Sequence, residues 1–170
     1  EGLGRYAIDV PADWRAGGTL LVYSPGFSMR FPAQVEHVNT APNAALRNDF
    51  LSRGLALAAA TYADRGWAMF DIERVQRALL AEVRRVAGAP GAIILFGGSL
   101  GGLVSLRPAE AYAAAGAPVA GVYAACPPLA GARTWDLAVD TRLLFDAVCP
   151  DHPLPTGSAA IITTTASGRP

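Results

Sequence analysis

The chemistry in this chain concentrates in residues 97–102, Gly-Gly-Ser-Leu-Gly-Gly. Within them Gly97, Ser99 and Gly101 form a G-x-S-x-G pattern. A serine is a weak nucleophile unless its hydroxyl stands clear of the backbone, where a base and an electrophile can reach it together. A sharp strand-to-helix turn does this by straining the backbone at the serine and pressing neighbouring segments close, so that side chains two residues to either side would collide. Glycine at 97 and 101 meets that steric demand. A helix opening just after the serine would direct its free N–H groups and positive dipole end at the same point, which favours the oxyanion formed when an ester is attacked.

The flanking sequence predicts such a turn. Residues 92–96 (AIILF) form a short apolar run suited to a buried strand, and residues 100–106 open a helix that Pro108 is expected to interrupt or kink before 109–115 continue it. A phosphate-binding glycine loop is the competing reading, but G-x-G-x-x-G does not occur here, and a Walker-type lysine is excluded because all 14 basic residues are Arg. Upstream, residues 6–11 read as a short strand, 19–23 (TLLVY) as a strand buried on both faces, and 55–62 as a further buried strand, alanine-rich enough that helix stays open. Residues 28–50 read as a loop with a helical turn around 44–53. The clearest helix begins at Asp71, expected to cap its first turn. Ile72, Val75, Leu79, Val83 and Val86 recur at steps of three and four, and Gly88 and Pro90 end it. Residues 119–125 suit another strand, 135–148 an amphipathic helix, and 159–165 a last, weaker strand. Strands alternating with helices imply an α/β chain with a mostly parallel sheet and helices on both faces.

Three segments carry a family resemblance: YSPGF after the TLLVY strand, then GLALAAATYADRGW, then LFGGSLGG. In this order they resemble the α/β-hydrolase superfamily, most closely its bacterial serine esterase and prolyl-oligopeptidase-like branches. The likeness covers residues 5–148, and GGSLGG is its specific element. It implies an α/β-hydrolase fold, incomplete in this chain, with Ser99 as nucleophile. One oxyanion N–H would come from Leu100. The other would come from the loop after TLLVY, which usually reads His-Gly-x and here reads Ser24-Pro25-Gly26-Phe27, making Phe27 N–H the matching donor with proline in place of the customary histidine.

The same resemblance implies an acid and then a histidine after the serine, each following a further strand. His37 precedes Ser99. His152 follows it and is the candidate base by order, with Asp136, Asp140 and Asp146 between them, all in or beside the 135–148 helix. Those acids read as the helix's solvated face, and no triad acid is nominated. The expectation is that residues 1–150 are the nucleophile-bearing part of a catalytic core, that 151–170 are a Pro/Thr/Ser-rich tail or the start of a lid or linker, and that a second polypeptide or a further segment supplies the acid and histidine. Tyr62 and Trp67 are expected near the loops around the catalytic centre, where they would line an acyl pocket or seal the core. Phe27 and Met29 are further candidates for substrate contact, and Arg30 for an acidic substrate group.

Composition narrows the classes. Of 170 residues 52% are hydrophobic and 16% charged, enough to bury a core and unlike a disordered chain. Fourteen basic residues balance fourteen acidic ones, so no charge excess points to nucleic acid. No run reaches the length of a membrane-spanning helix. Cys and His do not cluster as a metal site would require, and no cofactor is expected. Cys126 and Cys149 would pair in an oxidising compartment and stay reduced in the cytosol. Secretion is the expectation, with a cytoplasmic location left open. Three functions follow: ester hydrolysis through an acyl-enzyme on Ser99, acyl transfer or peptidase action by the same centre, and a non-catalytic binding protein on the hydrolase fold.

Overall fold

The computed structural model describes residues 4–27, 37–62, 67 and 69–152. Met29, Arg30 and the 159–165 segment lie outside them. The described residues fall into two compact units, one up to Pro127 and one from Pro128 onward.

The first unit is built on five strands: β1 (Tyr6–Asp9), β2 (Thr19–Ser24), β3 (Ala56–Ala60), β4 (Ala92–Gly98) and β5 (Gly121–Ala125). They stand in the order β1-β3-β2-β4-β5, with β1 antiparallel to β3 and the other pairings parallel. Alternation along β2 sorts the side chains onto two faces. Leu20 and Val22 join Ala56, Ala58, Ala60 and Leu95 beneath α2 (Ile72–Ala87) and α3 (Leu100–Ala114), whereas Leu21 and Tyr23 pack with Leu57 and Phe96 against Phe50 and Leu51 of α1 (Ala44–Ser52). The fold class is therefore α/β, a mostly parallel sheet with helices on both faces.

Local rules account for most of these elements. Asn43 caps α1, its side chain accepting the Leu46 N–H at 2.9 Å. Ile72, Val75, Leu79, Leu80 and Val83 form the buried stripe of α2; Val86, at its end, is exposed. Burial settles residues 56–60 as strand. All five side chains of β3 are buried, and Ala56, Ala58 and Ala60 let α2 approach the sheet closely.

Two expectations need correction in part. Asp71 stands at the N-cap of α2 but makes no side-chain cap; its carboxylate pairs with Arg74 at 3.2 Å instead. Pro108 neither ends nor divides α3. It lies fully buried inside one continuous helix, where packing outweighs the single backbone hydrogen bond that proline removes.

The second unit carries a short 3₁₀ turn (Gly131–Thr134) and α4 (Asp136–Val148). The helix forms where expected, but it shows no buried apolar face. Leu137, Val139, Leu143, Leu144 and Val148 are all exposed.

Candidate active site

The carboxyl ends of parallel strands are where α/β sheets place their ligand sites, because the chain turns there into helices whose N-termini face outward. Ser99 occupies that position, between the last residue of β4 and the first of α3. Its backbone is at φ 54° and ψ −128°, a conformation that residues with a side chain rarely adopt. Three backbone hydrogen bonds hold it there, the longest from Leu103 N–H to the Ser99 carbonyl at 3.4 Å. Ser99 N–H donates to the Ala125 carbonyl of β5 at 2.8 Å, and Gly102 N–H donates to the Ser99 carbonyl at 3.0 Å. Ser99 is exposed, whereas Leu100 beside it is buried among Ile72 and Val104.

The glycines of the pattern are required by close backbone approach. A methyl group built on Gly97 would lie 2.5 Å from the carbonyl oxygens of Gly101 and Ser24. One built on Gly101 would lie 2.7 Å from the Pro25 carbonyl oxygen and closer still to that of Ser24. The turn at Ser99 and the loop leaving β2 are thus interlocked through bare backbone. Gly26 is next to this contact, with its pro-Cβ position 3.8 Å from the Ser99 Cβ. The Ser24–Phe27 loop therefore runs directly alongside the serine. Leu100, the first helical residue, has an N–H with no acceptor inside its own helix.

No family model matches the chain, and no curated protein matches it. Among solved structures the chain is similar to an α/β serine hydrolase without a lid from Xanthomonas campestris, with 18% sequence identity and a TM-score of 0.42. The likeness covers 74% of this chain and 56% of that one, so this chain spans little more than half the length of that structure.

The remaining candidates are placed as follows. Tyr62 is partly buried with Ile72, Leu100 and Val104, and its hydroxyl donates to the Pro25 carbonyl at 3.0 Å. Burial raises the Tyr62 phenol well above its ordinary pKa, with the Ser24 hydroxyl opposing. Trp67 is 40% exposed, its ring 5.9 Å from that of Phe27 in a tilted pair. Phe27 is itself exposed, so the two rings form an apolar wall next to the loop that skirts Ser99. His152, in the second unit, is exposed and donates its backbone N–H to Cys149. His37 is exposed beside β1, with Tyr6 and Ala7. Among the described residues none hydrogen-bonds the Ser99 hydroxyl, and no group of His, Cys, Asp and Glu gathers to hold a metal. Among them, too, no helix is long and apolar enough to cross a membrane. Cys126 and Cys149 are both free thiols.

Two features escaped the sequence reading. The bond from Tyr62 to Pro25 joins residues far apart in the chain and leaves no local signal. Cys126, directly after the residue that anchors Ser99, has a φ of 41°. Nothing about a cysteine before two prolines marks that backbone.

Proposed function

We propose that this chain is the nucleophile-bearing part of a serine hydrolase that cleaves carboxylic esters. One observation carries the reading: an exposed serine at φ 54°, on a strand-to-helix turn whose flanking glycines admit no side chain. Glycine would hold that backbone at lower cost, so the hydroxyl is the reason to place a serine there.

In the proposed reaction Ser99 Oγ bonds to the ester carbonyl carbon while a base takes the hydroxyl proton. The carbonyl oxygen becomes an oxyanion, held by the N–H groups of Leu100 and Phe27. Collapse breaks the bond to the alcohol, which leaves with the proton from the base, and the acyl group stays on Ser99. Water then attacks the acyl carbon with the base again taking a proton, and the carboxylic acid departs as Ser99 is restored. Phe27 and Trp67 would offer the acyl chain an apolar wall. The orienting acid, and the base unless His152 supplies it, would come from a further segment or a second polypeptide.

The test is covalent labelling with a fluorophosphonate, read by peptide mass spectrometry on the purified full chain and on any complex it forms. Modification of Ser99, absent in Ser99→Ala, is the expected result. Failure of the complete assembly to label at Ser99 sinks the proposal. Supplying alcohol and amine acceptors and analysing the products separates hydrolysis from acyl transfer and peptidase action.

A further inference from the structure

The loop that skirts Ser99 is clamped from two directions. On one side, the Ser24 and Pro25 carbonyl oxygens rest against the Gly101 backbone, where no side chain fits. On the other, the Tyr62 hydroxyl donates to the Pro25 carbonyl at 3.0 Å. Packing against glycine restricts how far the loop can move but leaves its peptide planes free to rotate. A directional hydrogen bond to the carbonyl fixes the plane itself, since rotating the Pro25–Gly26 peptide would turn the oxygen away from its donor. Gly26 has no side chain to resist such a rotation. Fixing that plane removes one of the rotations open to the loop before the Phe27 N–H, and the φ and ψ of Gly26 set the rest.

The ring that delivers this hydroxyl is itself anchored. It packs with Ile72 at the start of α2 and with Leu100 and Val104 in the first turns of α3. These are the residues that surround the base of the Ser99 turn. Tyr62 therefore joins the loop to the very helix turn that carries the nucleophile, by a contact that neither the glycines nor the strand pairing provides.

We infer that Tyr62 is a positioning residue for the reaction at Ser99: its hydroxyl fixes the Pro25–Gly26 peptide, and with it the path of the loop that would present the Phe27 N–H to the oxyanion. This rests on the hydrolase reading of Ser99 and assigns Tyr62 to the loop rather than to the acyl group. Because burial holds the phenol protonated well beyond its ordinary range, the donor persists at any pH at which the protein would be assayed.

The experiment compares wild type with Tyr62→Phe, which removes only the hydroxyl, and with Tyr112→Phe, which removes a buried phenol that bonds nothing among the described residues. Fluorophosphonate labelling of Ser99 is followed at several reagent concentrations, with thermal melting read alongside. Deleting an oxyanion donor costs about 10²–10³ in rate, so loosening one should lower the maximal labelling rate about tenfold. The half-saturating concentration should stay unchanged. Tyr112→Phe should match wild type in both the maximal labelling rate and the half-saturating concentration. A wild type that labels, paired with a Tyr62→Phe variant of equal maximal rate, overturns the inference. A wild type that does not label in its complete assembly overturns the hydrolase reading instead. A variant that only melts earlier, with labelling unchanged, shows a structural role and also overturns the inference.

Discussion

Gly101 and Ser24 meet backbone to backbone: a methyl group on the glycine would overlap the carbonyl oxygen with which β2 ends. One helix turn and one strand end are thereby kept in register without any side chain between them.

Gly101→Ala should accordingly be costly out of proportion to one methyl group. The added carbon can be accommodated only by moving backbone that also borders Ser99, at an expected cost of about 3 kcal/mol. Urea denaturation measures the loss, and fluorophosphonate labelling of whatever remains folded should be abolished. Gly98→Ala is the control, since a methyl there meets nothing nearer than 3.9 Å. Equal stability of the two variants would refute the interlock.

Asp9 ties the end of β1 to α1. Its carboxylate accepts from Arg47 Nε at 2.7 Å and from Arg47 Nη2 and the Thr40 hydroxyl. Arg47 holds the carboxyl below its ordinary pKa, burial opposing and Thr40 adding to the effect. A depressed folded pKa means stability that is fully present above the unfolded value of about 3.9 and lost as pH falls through the folded value. Asp9→Asn should cost about 1 kcal/mol at pH 7, in line with partly exposed ion pairs that share extra hydrogen bonds. The gap between variant and wild type in urea midpoint should narrow below pH 4. A gap constant with pH would show that the charge contributes nothing.

These relationships also show what was legible beforehand. The strand-turn-helix around Ser99 was readable because each part has a local cause: an apolar run, glycines forced by sterics, a helix after them. The strand at 56–60 was ambiguous, since alanine favours helix in isolation and only burial between β1, β2 and α2 selects the extended form. An interruption at Pro108 does not follow, because a local penalty is outweighed by burial that no window around residue 108 reveals. The bond between Tyr62 and Pro25 was illegible for the same reason: it exists only once β2 and β3 lie side by side. For α4 the periodicity correctly marked a helix but could not show that its apolar side chains stay exposed.

Gln76 offers a third test. It is buried on α2, yet neither its amide oxygen nor its nitrogen finds a partner among the described residues. It borders a cavity of about 10 Å³ that Ser24, Tyr62 and Val104 also line. Gln76→Met, of similar length and without polar atoms, should raise stability by about 1 kcal/mol. Denaturant midpoints decide it. A loss of stability would mean that the amide holds a water in that cavity, which has room for about one.

Cys126 offers a fourth. Its φ of 41° lies where a β-carbon crowds the following carbonyl, and it directly follows Ala125, whose carbonyl fixes Ser99. Cys126→Gly should therefore gain about 1 kcal/mol in thermal or urea unfolding, whereas Cys126→Ala, which keeps the β-carbon, should gain nothing. Identical gains in both would trace the effect to the thiol rather than the backbone.

Four glycines crowd the turn, at 97, 98, 101 and 102, yet the one residue whose backbone most asks for glycine is the serine between them. A chain shaped for folding alone would fill that gap with a fifth glycine and shed a strain of about 1–3 kcal/mol. The serine is a standing tax on the fold, and Ser99→Gly should give the sturdier and chemically silent protein.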